Sequence, residues 1–108
     1  MAFKSKVTAN ISTSGSPSTI TATVGAGTTA TVIGLSLANT VSTNVTISAK
    51  LVKADASSAF LVKDATVLPG GAIVIVGGDQ KVVLEAGDSI TAYASAGTSV
   101  DAVISYLA

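Results

Sequence analysis

Along most of the 108 residues, apolar side chains recur at every second position. Ile33, Leu35 and Leu37 alternate with Gly34, Ser36 and Ala38. Val45, Ile47, Ala49 and Leu51 alternate with Thr46, Ser48 and Lys50, and Ala102, Ile104 and Tyr106 with Asp101, Val103 and Ser105. A period of two puts the two sets on opposite faces of a pleated strand, so one face is buried and the other wet. No segment carries a sustained helical stripe. The alanines could support a helix, but they are interleaved with Thr, Val and Ile, which are stiff at χ1 and suit a pleated surface.

Turn chemistry divides this pattern into short pieces. Ser14-Gly15-Ser16-Pro17, Gly25-Ala26-Gly27, Asn39 to Asn44, Ala54 to Ser58, Pro69-Gly70-Gly71, Gly77-Gly78-Asp79, Ala86-Gly87-Asp88 and Gly97-Thr98 are the breaks. Strands are expected at Val7–Ser12 (Val7, Ala9 and Ile11 on one face), Thr19–Val24, Thr29–Asn39, Val45–Val52 and Ala59–Lys63. A further extended piece runs up to Pro69. Ala72–Val76 should then turn at Gly77-Gly78-Asp79 into a returning Lys81–Glu85, and Ser89–Ala96 and Val100–Leu107 should form a last hairpin. Ala72–Val76 is apolar on both faces, which predicts an interior strand or one covered by a neighbour. Eight or nine strands at this spacing predict an all-β chain: a single antiparallel β-sandwich over 1–108, jelly-roll or immunoglobulin-like, with no substantial helix. One domain is what this length supports.

Composition narrows the function classes. Charged residues make up 11% of the chain, against roughly 25% in typical soluble domains. Six lysines balance six acids, there is no arginine, and the lysines are scattered. A nucleic-acid platform wants a basic stripe, so nucleic acid is not an expected partner. With a net charge of zero and a mean hydropathy of +0.67, little repels like molecules, which points to a surface covered in an assembly. Cysteine and histidine are absent, removing disulfides, thiolate metal sites and the commonest general base. The first residues lack the apolar run of a secretory signal, and the longest aliphatic run is too short to span a bilayer, so no membrane association is expected.

Three patterns resemble chemistry and are weighed against plainer readings. Gly25-Ala26-Gly27-Thr28-Thr29-Ala30 fits G-x-G-x-x-A, but the motif holds a pyrophosphate only when the glycines open a helix. Here an alternating, β-branched run follows, so a β-turn is expected. Asp79, Glu85 and Asp88 cluster in sequence around the returning strand. Carboxylate pairs serve glycoside hydrolysis or bind calcium, yet the chain has four aromatics and no dense D-x-D spacing, which favours solvated turn acids. Ser57 and Ser58 near Lys63 lack the context that activates a serine. No catalytic residue, cofactor, metal or small-molecule substrate is therefore expected. Candidate interaction residues are Phe3, Lys4 and Lys6, in an arm (residues 1–6) that could dock on a neighbour with Phe3 as anchor. Tyr93 and Tyr106 are the side chains available to a sugar platform.

The segments KSKVTANIST, TTATVIGLSLANT and FLVKDATVLPGGAIVIVGGDQKVVLEAGDSITAYASA, with the terminal VDAVISYLA, cover nearly the whole chain. Together they resemble a family of small virion structural proteins of tailed bacteriophages, frequent among phages of cyanobacteria and other aquatic bacteria. The resemblance implies a β-sandwich that coats or joins other virion proteins, with no catalytic residues to carry over. The expectation that follows is a non-enzymatic head decoration (cement) subunit. It would be made in the host cytoplasm, carried in the virion, present as a homo-oligomer, and would bridge major capsid subunits. A neck, tail or baseplate component, or a receptor- or carbohydrate-binding module, are the alternatives.

Overall fold

The structure, a computed structural model, describes residues 3–20, 25, 27–77 and 81–108. Among these described residues there are nine strands: β1 (Phe3–Thr8), β2 (Ser18–Thr19), β3 (Ala30–Asn39), β4 (Val45–Val52), β5 (Ser58–Val67), β6 (Ala72–Val76), β7 (Val82–Leu84), β8 (Ser89–Ala94) and β9 (Val100–Leu107). Two antiparallel sheets form. One has the order β1-β9-β3-β6, with β7 also on β3; the other has the order β2-β8-β4-β5. The all-β sandwich read from the alternation is what the chain adopts.

The alternating positions make the core. Leu35 and Leu37 of β3, Val45, Ile47 and Ala49 of β4, Ile90, Ala92 and Ala94 of β8, and Val100, Ala102 and Ile104 of β9 are buried between the sheets. Each fully buried aliphatic side chain contributes about 1.5–3 kcal/mol relative to exposure. Outside the strands, Ile11 and Ile20 also reach the core. Ile11 donates its N–H to Val100 O on one sheet, while Ser12 O accepts from Ala94 N on the other. That short segment therefore carries the chain across the side of the sandwich.

Connectivity departs from the expected hairpins. Gly97-Thr98 does not close a hairpin between β8 and β9, because those strands belong to different sheets. The crossing at this corner is secured by Thr40, whose N–H and hydroxyl both donate to Ser99 O. Nor does β7 run back beside β6. Both are antiparallel to β3, with Ala72 opposite Ala38, Val76 opposite Leu35, Val82 opposite Val32 and Leu84 opposite Ala30. The chain thus continues in one direction along the same edge. Among the described residues, β4 and β5 are the consecutive strands that pair as a hairpin.

Several boundaries and faces shift as well. The first strand is Phe3–Thr8, and Val7 and Ala9 are exposed, because this strand lies at the sheet edge with nothing over it. A bulge between Val32 and Gly34 turns Val32 into the core in place of Ile33. The expected short strand at residues 59–63 and the extended piece after it are one strand, β5, in which Asp64 takes a positive φ of 51°. Where a strand was expected at residues 19–24, Ser18 and Thr19 form β2, and residues 21–24 lie outside the described residues. Finally, β6 is not an interior strand. It is the edge of the five-stranded sheet, with Val74 67% exposed and Val76 buried. A run that is apolar at every position cannot reveal by itself whether its second face is covered.

Candidate interaction surface

Residues directly opposite in an antiparallel sheet point to the same side. On the outer side of the five-stranded sheet, this rule assembles two transverse rows. One reads Val83, Thr31, Leu107, Phe3 across β7, β3, β9 and β1. The other reads Val74, Ser36, Val103, Val7 across β6, β3, β9 and β1. Each row has a hydroxyl on the central strand and apolar side chains on the strands around it. Among the described residues, five of the seven large exposed hydrophobics fall here: Phe3, Val7, Val74, Val83 and Val103. The next row, Ala72, Ala38 and Asp101, brings in an acid at the margin, where its Oδ1 accepts the Asn10 N–H. The row between the first two, Ser5, Ser105 and Gly34, is small and polar; apolar side chains gathered on one sheet face in this way, unlike scattered single ones, make it a candidate interaction surface.

The opposite outer face, on the four-stranded sheet, is chemically different. Lys50 stands opposite Phe60, and its Nζ lies 4.9 Å from the ring centroid; Lys63 Nζ lies 5.6 Å from the same centroid. Tyr93 lies opposite Ser48 on this face. Ser48 is tied to β5, accepting the Asp64 N–H and donating to Asp64 Oδ1.

The expected interaction residues are therefore split. Phe3 joins the apolar face, 76% exposed. Lys4 and Lys6 stand opposite Tyr106 and Ile104, on the side that faces the second sheet, and both are exposed because β1 overhangs it. Tyr106 packs half-buried against the core. Tyr93 belongs to the other sheet, so the two tyrosines do not converge on a sugar platform. Phe60, which shares a face with Tyr93, was legible from its alternation only up to the register shifts that β5 makes against β4.

Of the carboxylates expected as solvated turn acids, Glu85 is exposed but Asp88 is not. Asp79 lies outside the described residues. Asp88 is buried and fully engaged: it accepts Lys53 Nζ at 2.6 Å, Glu85 N at 2.9 Å and Ala54 N at 3.1 Å. The hydrogen bond from Lys53, with those two backbone N–H groups, holds the Asp88 carboxyl below the usual carboxylate range against the opposing effect of burial. Lys53 is in turn shifted up, first by its hydrogen bond to Asp88 and then by the charges of Asp88 and Glu85. Glu85 Oε1 lies 3.7 Å from Lys53 Nζ and is largely exposed. The arrangement clips two turns together. Among the described residues, no three carboxylates gather as metal ligands.

The remaining motifs resolve as turns. Gly25 O accepts both the N–H and the hydroxyl of Thr28, and the segment enters strand β3, not a helix. Ser57 donates its hydroxyl and its N–H to Asp55 Oδ1, which draws the Asp55 carboxyl down. Lys63 pairs with Asp64 at 3.4 Å. Comparison with protein-family models, with curated proteins and with solved structures finds no match.

Proposed function

We propose that this chain is a non-enzymatic structural subunit of a phage particle, a head decoration protein that docks on the major capsid protein through the outer face of its five-stranded sheet. The observation that carries this reading is the pair of transverse rows that collects Phe3, Val7, Val74, Val83 and Val103 on one nearly uncharged face. Such a face gains by being covered, and a specific contact needs roughly 800 Å² per partner. The likeness of the sequence to small virion proteins supplies the partner class. Repetition over a symmetric shell would multiply a modest contact into a large stabilisation.

The test is to mix the purified chain with capsids that lack it and to sediment them, comparing wild type with Val74→Asp and Val103→Asp. Saturable binding in many copies per particle, lost in both variants while their circular dichroism is unchanged, is the expected result. Absence of binding to capsids, or location of the chain in neck or tail at few copies, would sink the assignment. Binding unaffected by either substitution would show that another surface docks.

A further inference from the structure

We propose that β1 is an exchangeable strand: in concentrated or assembled protein, β1 of one copy fills the β9 edge of a second copy of this chain. The inference is independent of where in a particle the protein resides. It begins with a mismatch between pairing and burial. All six residues of β1 stand in register with β9, from Phe3 opposite Leu107 to Thr8 opposite Ala102. Yet none of the six side chains is buried, and no residue of β1 belongs to the core cluster. Apolar burial therefore does not tie this strand to its own sandwich. The ladder does, and the ladder is the same whichever copy supplies the strand.

The need for a strand lies with β9. Val100, Ala102 and Ile104 of β9 are core residues, so this strand cannot move away, and without β1 its outer N–H and C=O groups would form a bare edge. A bare regular edge is a template for pairing with another chain. An exchanged β1 meets that need with the same chemistry.

The hinge is also present. Ile11 is fully buried and its N–H is bonded to Val100 O, so the chain is anchored from this point on. Between Ile11 and Thr8 lie Ala9 and Asn10, both exposed. Asn10 has a φ of 57°, a left-handed turn that asparagine tolerates, and its exposed N–H donates to Asp101 Oδ1. Extending it on exchange opens this turn and trades one exposed hydrogen bond for water. Against this, a tethered strand meets its own β9 at a high effective concentration. The closed form therefore prevails in dilute solution, and exchange grows with protein concentration. Exchange of an identical element is a low-cost route to dimers for this reason.

Ser5 and Ser105 stand opposite each other in the ladder, and the chain has no cysteine of its own. A Ser5→Cys chain is mixed with a Ser105→Cys chain carrying a mass tag, and the mixture is oxidised over a range of concentrations. Exchange predicts a disulfide-linked heterodimer whose fraction rises with concentration, above that from Ser5→Cys mixed with tagged Ser42→Cys, a position outside the ladder. A heterodimer yield no higher than this control at every concentration would overturn the proposal. Deletion of residues 1–8 provides a second test. The truncated chain should keep its circular dichroism and cooperative melting and, with its β9 edge bare, should bind an added peptide of residues 1–10. If it unfolds instead, β1 is integral to its own sandwich and the proposal fails.

Discussion

Lys53 Nζ meets Asp88 Oδ2 at 2.6 Å, and this contact joins the turn after β4 to the turn before β8. The Asp88 side chain is 1% exposed while that of Lys53 is 36% exposed. The acid is thus sealed under a lysine whose other side reaches water. Two backbone N–H groups, one from each turn, complete the carboxylate's partners. Charge-assisted bonds of this kind are stronger than neutral ones, and a buried carboxylate stripped of its partner is costly.

The contact predicts a pH dependence of stability. Asp88 has a folded pKa below its ordinary 3.8, so its contribution is fully present above that value and is lost as pH falls through the depressed folded value. Lys53 has a folded pKa above 10.5, so its contribution is present below 10.5 and is lost as pH rises through the elevated value. Melting temperature measured from pH 2 to 12 should therefore show a plateau with an acid limb starting below about 4 and an alkaline limb above about 10.5. In Asp88→Asn the acid limb should weaken and the plateau should fall. An acid limb identical to wild type would show that other carboxylates produce it.

Gly87 lies in the turn that Asp88 anchors. Its φ is +87°, and a Cβ placed on it would stand 2.5 Å from Ala54 Cβ. Gly87→Ala combines an unfavourable backbone conformation with a clash against the neighbouring turn, so it should cost about 2–3 kcal/mol. Gly70 also has a positive φ, of +74°, but nothing lies within 4 Å of its added Cβ. Gly70→Ala should therefore cost about 1 kcal/mol, from the backbone alone. Denaturant midpoints of the two variants should separate in that order.

Core and outer-face residues of the same chemistry should respond differently. Leu37 is fully buried on β3, and Leu37→Ala should cost about 2–5 kcal/mol through lost transfer energy and the cavity left behind. Val74, 67% exposed on the neighbouring β6, should lose less than about 0.5 kcal/mol on replacement by Ala. Urea unfolding measures both. A large loss at Val74 in the isolated chain would mean that its face is already covered in solution.

Asn39 ends β3 as a buried polar side chain that belongs to no active site. Its Nδ2 donates to Thr43 O and Val67 O, and its Oδ1 accepts the Val41 N–H. Asn39→Ala leaves those backbone groups without this partner and should cost about 1–3 kcal/mol. Asn39→Asp should cost at least as much near neutral pH, because a carboxylate cannot donate to the two carbonyls. Thermal melts of the two variants give the order.

Strand content, the two-sheet class and most inward residues follow from the alternation, because burying one face of a pleat leaves a period of two in the chain. Where a bulge interrupts the pleat, as at Val32 to Gly34, the alternation changes phase and the wrong neighbour, Ile33, is assigned to the core. Glycine turns mark where a strand stops. They do not say whether the chain next returns beside its predecessor, crosses to the other sheet or continues along the same edge, and this is why two expected hairpins are absent. The Lys53–Asp88 contact was hidden for a related reason: 35 positions separate its members, and only the packing of two turns brings them together.

By itself, the sequence determined an all-β sandwich with a continuous aliphatic core, poor in charge and lacking histidine and cysteine. These are properties of residue type and local period, which need no knowledge of what lies across the molecule. The tertiary structure alone decided that Val7, Val74, Val83 and Val103 share one face with Phe3. Strand order and register set that relation, because each of these residues sits on a face whose neighbours come from distant parts of the chain. It also decided that β6 forms an edge and that β1 lies on β9 without entering the core, since edges and overhangs exist only once two sheets of unequal width are laid against each other.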